Sequence, residues 1–194
     1  TGDGLVGWLV YGLYSTSTIP SLPRIIYELK DHNYTSLSDY LALSERLKTT
    51  ISAGMFYSTE CSENWPFLTQ QDVNDSIKGV RSQIARIEGI QQQAQFDICQ
   101  FWKVQPMPAE QRQLIASDLP TLVLAGEYDP ITPPANSQEV ANHLSHSYFF
   151  LFPGQGHGEL VSACASTIYS AFVDNPDQRP DSSCLAQMTE PAFQ

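Results

Sequence analysis

The sequence has few basic residues and no long apolar run. Its 194 residues include 21 acidic and only 10 basic side chains, which gives a formal net charge of −11. A surface of this charge disfavours nucleic acid and anionic membranes as partners, although it suits a cationic ligand such as a free amino terminus. No run of about 18 apolar residues occurs, so no transmembrane helix is predicted. The nearest candidate, residues 4–15 (GLVGWLVYGLYS), lacks the basic start of a signal peptide and is predicted to be a buried helix.

The chain also lacks the motifs of metal and nucleotide sites. None of its four cysteines belongs to a CxxC pair, and no histidine shows metal-ligand spacing to a carboxylate or cysteine. The stretch GEYDPITPP has no phosphate-binding glycine pattern, and FPGQGHG has no P-loop lysine. We therefore predict neither a metal nor a nucleotide or flavin cofactor.

The four cysteines fall into two groups. Cys61 and Cys99 lie in the first half of the chain, and Cys164 and Cys184 lie near its end. This grouping favours two local disulfides, with four reduced thiols in a cytosolic protein as the alternative. Cys184 follows a polar, proline-containing stretch that offers a cysteine little core to join. Each disulfide would contribute on the order of 3 kcal/mol by restricting the unfolded chain and would indicate an exported protein.

The hydrophobic pattern changes near residue 106. Residues 1–105 are predicted to be mainly helical, because apolar residues recur there at helical spacing. Helices are expected over residues 21–32, 36–54 and 72–102. Their apolar faces consist of Leu22, Ile25, Ile26 and Leu29; of Leu37, Tyr40, Leu41, Leu47 and Ile51; and of Val73, Ile77, Val80, Ile84 and Ile87.

Residues 106–194 have the pattern of an α/β protein. Two short apolar runs, Thr121–Ala125 and the stretch SYFFLF, predict strands buried on both faces. Helices are expected over residues 133–147, with Val140 and Leu144 inward, and over residues 159–175. This order predicts a right-handed parallel unit. Because two parallel strands do not make a stable sheet, we expect the chain to be the C-terminal part of a larger α/β protein, or to take further strands from another chain.

Two polar residues follow the predicted strands at comparable places. Asp129 lies just after the first strand, and His157 lies in the loop FPGQGHG after the second. The carboxyl ends of adjacent parallel strands bring such loops together, and a carboxylate that accepts the Nδ1 proton of histidine prepares it as a general base. Each residue alone fits an ordinary turn or loop, but together they indicate catalysis. Glu127 is a second-ranked carboxylate.

A nucleophile is the missing part of this arrangement. Hydrolases of this architecture carry their serine in a GxSxG elbow that precedes the acid and the histidine. No GxSxG occurs in the 194 residues, and Ser162, Ser166 and Ser170 lie on the last predicted helix without the elbow's glycines. We therefore expect the serine on the same absent segment as the missing strands, and the chain alone to be inactive.

The stretches PTLVLAGEYDPITPP and FPGQGHG together resemble the C-terminal end of α/β-hydrolases. The sequence is most similar to the tripeptidyl-aminopeptidase and prolyl-aminopeptidase group of secreted serine exopeptidases. STECSENWPF resembles the C-x-E segment of that group's helical cap, and CQFW resembles its C-x-x-W. The resemblance thus implies that residues 1–105 form the cap and that residues 106–194 form the C-terminal part of the catalytic domain. The resemblance implies Asp129 as the triad acid, His157 as the base, and disulfides Cys61–Cys99 and Cys164–Cys184.

The resemblance also implies a peptide substrate and a carboxylate that binds its protonated amino terminus. Glu63, and in second place Glu60, are candidates for that carboxylate, with a solvated loop glutamate as the alternative. Two other functions stay open at this point. The same fold hosts esterases and other small-acyl hydrolases, and a binding module that retains an unused Asp/His pair is the non-enzymatic alternative.

Overall fold

A computed structural model describes residues 2–38, 41, 52–158 and 161–193. The contacts divide the chain into two compact units, one of Thr1–Gly7 and Asn33–Gln113 and one of Trp8–His32 and Leu114–Gln194. The second unit thus joins residues 8–32 to the segment that carries the strands. The assignment of residues 1–105 to a cap and 106–194 to a catalytic part stays a prediction.

Helices dominate the described residues. The elements are α1 (Gly2–Gly12), α2 (Leu22–Lys30), α3 (Ala53–Glu63), α4 (Gln70–Ser76), α5 (Ser82–Phe101), β1 (Thr121–Gly126), α6 (Pro134–His143), β2 (Ser147–Phe152) and α7 (Ala163–Asp174). Among the helices described, none has both the length and the apolarity needed to cross a bilayer.

The first unit is held together by a disulfide and by helix caps. Cys61 on α3 is bonded to Cys99 on α5, as the resemblance implied. Thr69 and Asp72 form a capping box at the start of α4, which satisfies backbone donors that the first turn leaves free. The indole N–H of Trp102 donates to the hydroxyl of Ser58 across 3.1 Å and ties the end of α5 to α3.

The single helix predicted over residues 72–102 is wrong. The chain leaves α4 at Ser76 and begins α5 at Ser82, and Gly79 between them has a φ of +77°. That left-handed conformation is accessible to glycine at little cost and ends a right-handed helix. The apolar stripe continues across the break, but Val73 and Ile87 are buried whereas Val80 is exposed.

The apolar faces predicted for residues 36–54 and 4–15 have different outcomes. Most of the face predicted for residues 36–54, including Tyr40, Leu47 and Ile51, lies outside the described residues. The prediction that residues 4–15 form a buried helix is wrong for one side of α1, because Trp8 is buried but Tyr11 is exposed. A helix with apolar residues on all sides is expected to be buried, but in α1 only one side is packed against other residues.

The second unit contains the predicted parallel strand pair. β1 and β2 pair in parallel, with Thr121 opposite Ser147 and Gly126 opposite Phe152. Helix α6, which connects them, ends at His143 rather than continuing to residue 147, and Leu144 already bridges to Ser117. The inward position predicted for Val140 is also wrong, because it is exposed and Ala141 is the buried residue of α6.

The core of this unit lies between the sheet and α7. Four residues form its fully enclosed centre: Phe150, Phe152, Ala165 and Ile168. Alternate residues of a strand face the same side, so Leu122 and Leu124 of β1 join this face. The disulfide between Cys164 and Cys184 packs against the same cluster and anchors the C-terminal tail to α7.

Arg179 in the C-terminal tail contacts the outer edge of β2. The carbonyl of Phe152 accepts a hydrogen bond from the N–H of Glu127, so the even-numbered residues of β2 direct their backbone groups toward β1. Phe149 therefore directs its carbonyl away from β1, and the guanidinium of Arg179 donates to it across 3.3 Å. Arg179 also lies over the ring of Phe150, 4.5 Å from the centroid.

Candidate active site

The turn after β1 fixes the position of Asp129. The backbone N–H of Asp129 donates to the carbonyl of Gly126, the last residue of the strand. Its carboxylate then accepts hydrogen bonds from the chain ahead, since Oδ1 lies 2.8 Å from the N of Ile131 and 2.9 Å from the N of Thr132. Aspartate favours such a turn because its short side chain reaches backbone N–H groups two and three residues on.

The loop after β2 is attached to that turn at two points. The N–H of Tyr128 donates to the carbonyl of Gln155 across 2.8 Å, and the N–H of Gly154 donates to Oε2 of Glu127 across 2.8 Å. Gly154 has a φ of +67°, which explains why the loop needs a glycine there. Glu127, the second-ranked carboxylate of the sequence analysis, thus holds the loop backbone.

Asp129 and His157 meet at the carboxyl end of the sheet. Nδ1 of His157 lies 2.9 Å from Oδ2 of Asp129, and the same oxygen accepts the hydroxyl proton of Thr132 at 2.7 Å. The carboxylate side chain is only 3% exposed, whereas the imidazole is 39% exposed. One partner is therefore withdrawn from water while the other can reach a reacting group.

The hydrogen bonds keep Asp129 ionised. Burial by itself raises the pKa of this carboxyl, but hydrogen bonds from Thr132, His157 and Ile131 outweigh it, so that its pKa lies below the ordinary value. An ionised carboxylate only accepts hydrogen bonds. Nδ1 of His157 is therefore the donor, and in the neutral imidazole Nε2 carries the lone pair that a general base requires.

This lowered pKa makes a testable contribution to stability. A carboxyl whose pKa is lower in the folded state than in the unfolded state stabilises the fold at pH values above its unfolded-state pKa of about 3.9. That stabilisation is lost as the pH falls from there through the lower, folded-state pKa. At about pH 6, we expect Asp129→Asn to have a lower free energy of unfolding in urea than the natural protein. We expect this difference to shrink by about pH 3. The matched change Asp118→Asn, at an exposed residue, should show no such trend. A deficit of Asp129→Asn that is the same at both pH values would contradict the assignment.

The other predicted site residues, Glu60 and Glu63, belong to a different unit from Asp129 and His157. Glu60 and Glu63 lie on α3, in the first unit. The side-chain amide of Asn64 lies 3.2 Å from each carboxylate oxygen of Glu60, whereas Glu63 is exposed. Of these two carboxylates, Glu63 is therefore the more available to a ligand.

One serine that the sequence analysis considered has a structural role. The hydroxyl of Ser162 accepts the N–H of Ala165 across 3.1 Å and caps the start of α7. Within the described residues, His, Cys, Asp and Glu side chains form no group of three or more that could hold a metal ion.

Sequence reasoning missed two groups of residues at this site. Thr132 binds both carboxylate oxygens of Asp129, and the D-x-x-T spacing of a side-chain-capped turn was the signal for it. The turn at residues 13–16 contacts the His157 loop through Leu13, Tyr14 and Thr16. No periodicity or motif marks that contact, which joins segments about 140 residues apart.

Comparison with known proteins gives a family. The family model for TAP-like proteins matches residues 85–184, just over half of the chain, and the matched stretch includes β1, β2, Asp129 and His157. No curated protein and no solved structure matches the chain. The match confirms the α/β-hydrolase relationship predicted from the DPITPP and GQGHG stretches, and the chain belongs to the TAP-like protein family of α/β-hydrolases.

Proposed function

We propose that this chain supplies the acid and the base of a serine hydrolase that releases residues or short peptides from the amino termini of peptides. The observation that carries the proposal is the hydrogen bond between the buried Asp129 carboxylate and Nδ1 of the half-exposed His157. This geometry suits a histidine that accepts a proton at Nε2 and is stabilised by the carboxylate while it is charged.

The proposed reaction has two halves. In the first, His157 takes the proton of the serine hydroxyl as the serine oxygen attacks the scissile carbonyl, and then gives that proton to the leaving amine as the C–N bond breaks. In the second, His157 takes a proton from water, the resulting hydroxide equivalent attacks the acyl-enzyme ester, and the proton returns to the serine oxygen. Asp129 stays ionised throughout and orients the imidazole.

The serine would come from the N-terminal part of the same hydrolase. The sequence contains no GxSxG elbow, and the two described strands need neighbours to complete a sheet. A segment with further strands and the elbow would meet both needs. Two disulfides support an exported protein.

An amino-terminal substrate is proposed from charge and exposure. The net charge of −11 favours a cationic substrate group, and Glu63 presents an exposed carboxylate on α3, two residues after Cys61. A carboxylate that pairs with a protonated amine binds a free amino terminus and discriminates against a blocked one.

Peptide nitroanilides with free and acetylated amino termini test this substrate class in the complete protein. We expect turnover of the free substrates only, and we expect Glu63→Gln to lower their kcat/KM by about 10-fold or more through a higher KM. The control is Glu110→Gln, which removes an exposed carboxylate from the same unit. Equal cleavage of free and blocked substrates would sink the aminopeptidase proposal, and an unchanged KM in Glu63→Gln would remove Glu63 from it.

A further inference from the structure

Beside the Asp129–His157 pair lies a turn, residues 13–16, that contacts the histidine loop. We infer that this turn positions His157 for catalysis, with Tyr14 in direct contact with the imidazole. The inference rests on the proposed role of His157 as general base and adds residues that hold it in place. All of these residues lie within the second unit.

The first contact is a hydrogen bond to the backbone of the loop. The N–H of Gly156, the residue before His157, donates to the hydroxyl oxygen of Thr16 across 3.0 Å. Gly156 is buried, and a buried backbone donor without a hydrogen-bond partner is destabilising. Thr16 therefore specifies where this part of the loop lies.

The second contact is steric. A Cβ atom added to Gly156 would overlap the backbone carbonyl oxygen of Leu13 and approach that of Tyr14 to 3.3 Å. The loop and the turn thus lie closer than any side chain at residue 156 would allow. This close approach gives the second glycine of GQGHG a specific function.

The third contact acts on the imidazole itself. The ring centroids of Tyr14 and His157 are 5.1 Å apart, with an angle of 68° between the planes, which is the favourable edge-to-face arrangement of two rings. Burial, followed by the charges of Tyr11 and Asp129, raises the pKa of the Tyr14 phenol. Tyr14 therefore stays neutral near pH 7 and contacts the ring without adding a charge.

These contacts complement the hydrogen bond from Asp129. A hydrogen bond at Nδ1 fixes one atom of the imidazole but leaves the ring able to rotate about that anchor. A second ring packed against it removes this freedom and holds Nε2 where the serine proton must be received. The turn is itself well fixed, because the N–H groups of Leu13, Tyr14 and Thr18 donate to carbonyls of residues 9–11 and 15.

The experiment compares Tyr14→Ala with Tyr14→Phe and Tyr27→Ala in the complete protein. We expect Tyr14→Ala to lower kcat by about 10²-fold, as a small misplacement of a catalytic group does, with little change in KM. Tyr14→Phe keeps the ring and should retain activity. Tyr27 is an exposed tyrosine on α2, and its replacement should change neither parameter.

Proton NMR of the imidazole gives a second readout that does not depend on turnover. Tyr14→Ala should move the His157 ring resonances, assigned by their loss in His157→Gln, because the ring current of Tyr14 is removed. Thr16→Val should move them too, and this variant serves if Tyr14→Ala fails to fold. An active enzyme whose kcat and His157 resonances are unchanged in Tyr14→Ala would overturn this inference alone. Shifted resonances in a protein without hydrolase activity would support the positioning role and reject the proposed function.

Discussion

Asp129→Asn in the complete protein is expected to lose about 10⁴-fold in kcat, although the change removes only one charge and hardly alters the shape. The carboxylate accepts four hydrogen bonds, from the N–H groups of Ile131 and Thr132, from the Thr132 hydroxyl and from Nδ1 of His157. In the variant, the amide oxygen can take the place of Oδ1 and keep the turn. The amide NH₂ then takes the place of Oδ2 and must donate toward the imidazole.

A donor at that position reverses the tautomer of His157. Nδ1 would have to accept, the ring proton would move to Nε2, and the imidazole would no longer accept the serine proton there. His157→Ala should cost still more, on the order of 10⁶-fold, because the base itself is removed. The losses in the two variants should not add, since both residues belong to one hydrogen-bonded catalytic pair.

Steady-state kinetics and the rate of labelling by a fluorophosphonate measure these losses. The matched control is Asp118→Asn, which changes an exposed aspartate of the second unit. Circular dichroism and thermal unfolding separate loss of chemistry from loss of fold. Full activity of Asp129→Asn or of His157→Ala, in a folded protein, would remove the pair from catalysis. Loss in His157→Ala with normal Asp129→Asn would point to a different orienting group.

The second large effect is a loss of all activity in the isolated 194-residue chain. We expect the 194-residue chain alone to give no turnover and to remain unlabelled by a fluorophosphonate, whereas the complete protein is labelled at one serine within a GxSxG elbow. The reason is that His157 and Asp129 can activate a serine hydroxyl, but the 194 residues contain no serine in a GxSxG elbow.

Mass spectrometry after proteolysis identifies the labelled serine. The isolated chain must first be shown to hold its Cys61–Cys99 and Cys164–Cys184 disulfides, so that inactivity is not simply misfolding. The matched control is the complete protein with the elbow serine changed to alanine, which should behave like the isolated chain. Labelling of any serine within these 194 residues, such as Ser166 or Ser170, would contradict the proposal and place the nucleophile in this chain.

The sequence was informative where local chemistry and topology agree. An apolar run between Pro120 and Gly126 predicted β1 to within one residue, because such a short run suits a strand buried on both faces. The connecting helix then required parallel pairing, and parallel pairing brought Asp129 and His157 together. Asp129 was ranked above Glu127 because of its place at the turn. Its carboxylate is the one that lies 2.9 Å from Nδ1 of His157, and its role as the triad acid stays a prediction.

Sequence reasoning failed where the outcome depends on long-range contacts or on one backbone conformation. Both Gly79 and Gly89 lie within the apolar pattern of residues 72–102, yet Gly79 adopts a positive φ in the link between α4 and α5 while Gly89 lies within α5. Composition does not distinguish these two cases. The contact of Tyr14 with His157 is equally invisible, since aromatic residues in helical segments usually serve the core.

Arg179 on the outer edge of β2 determines on which side of the strand pair further strands can be added. An unpaired strand edge is a template that invites any passing extended chain, and proteins commonly block such edges with charged side chains. Arg179 occupies the outward carbonyl of Phe149 and rests on the ring of Phe150, so a strand that docked there would have to displace both contacts. The blocked edge protects this end of the sheet from edge-to-edge aggregation and leaves β1 as the side on which further strands can be added.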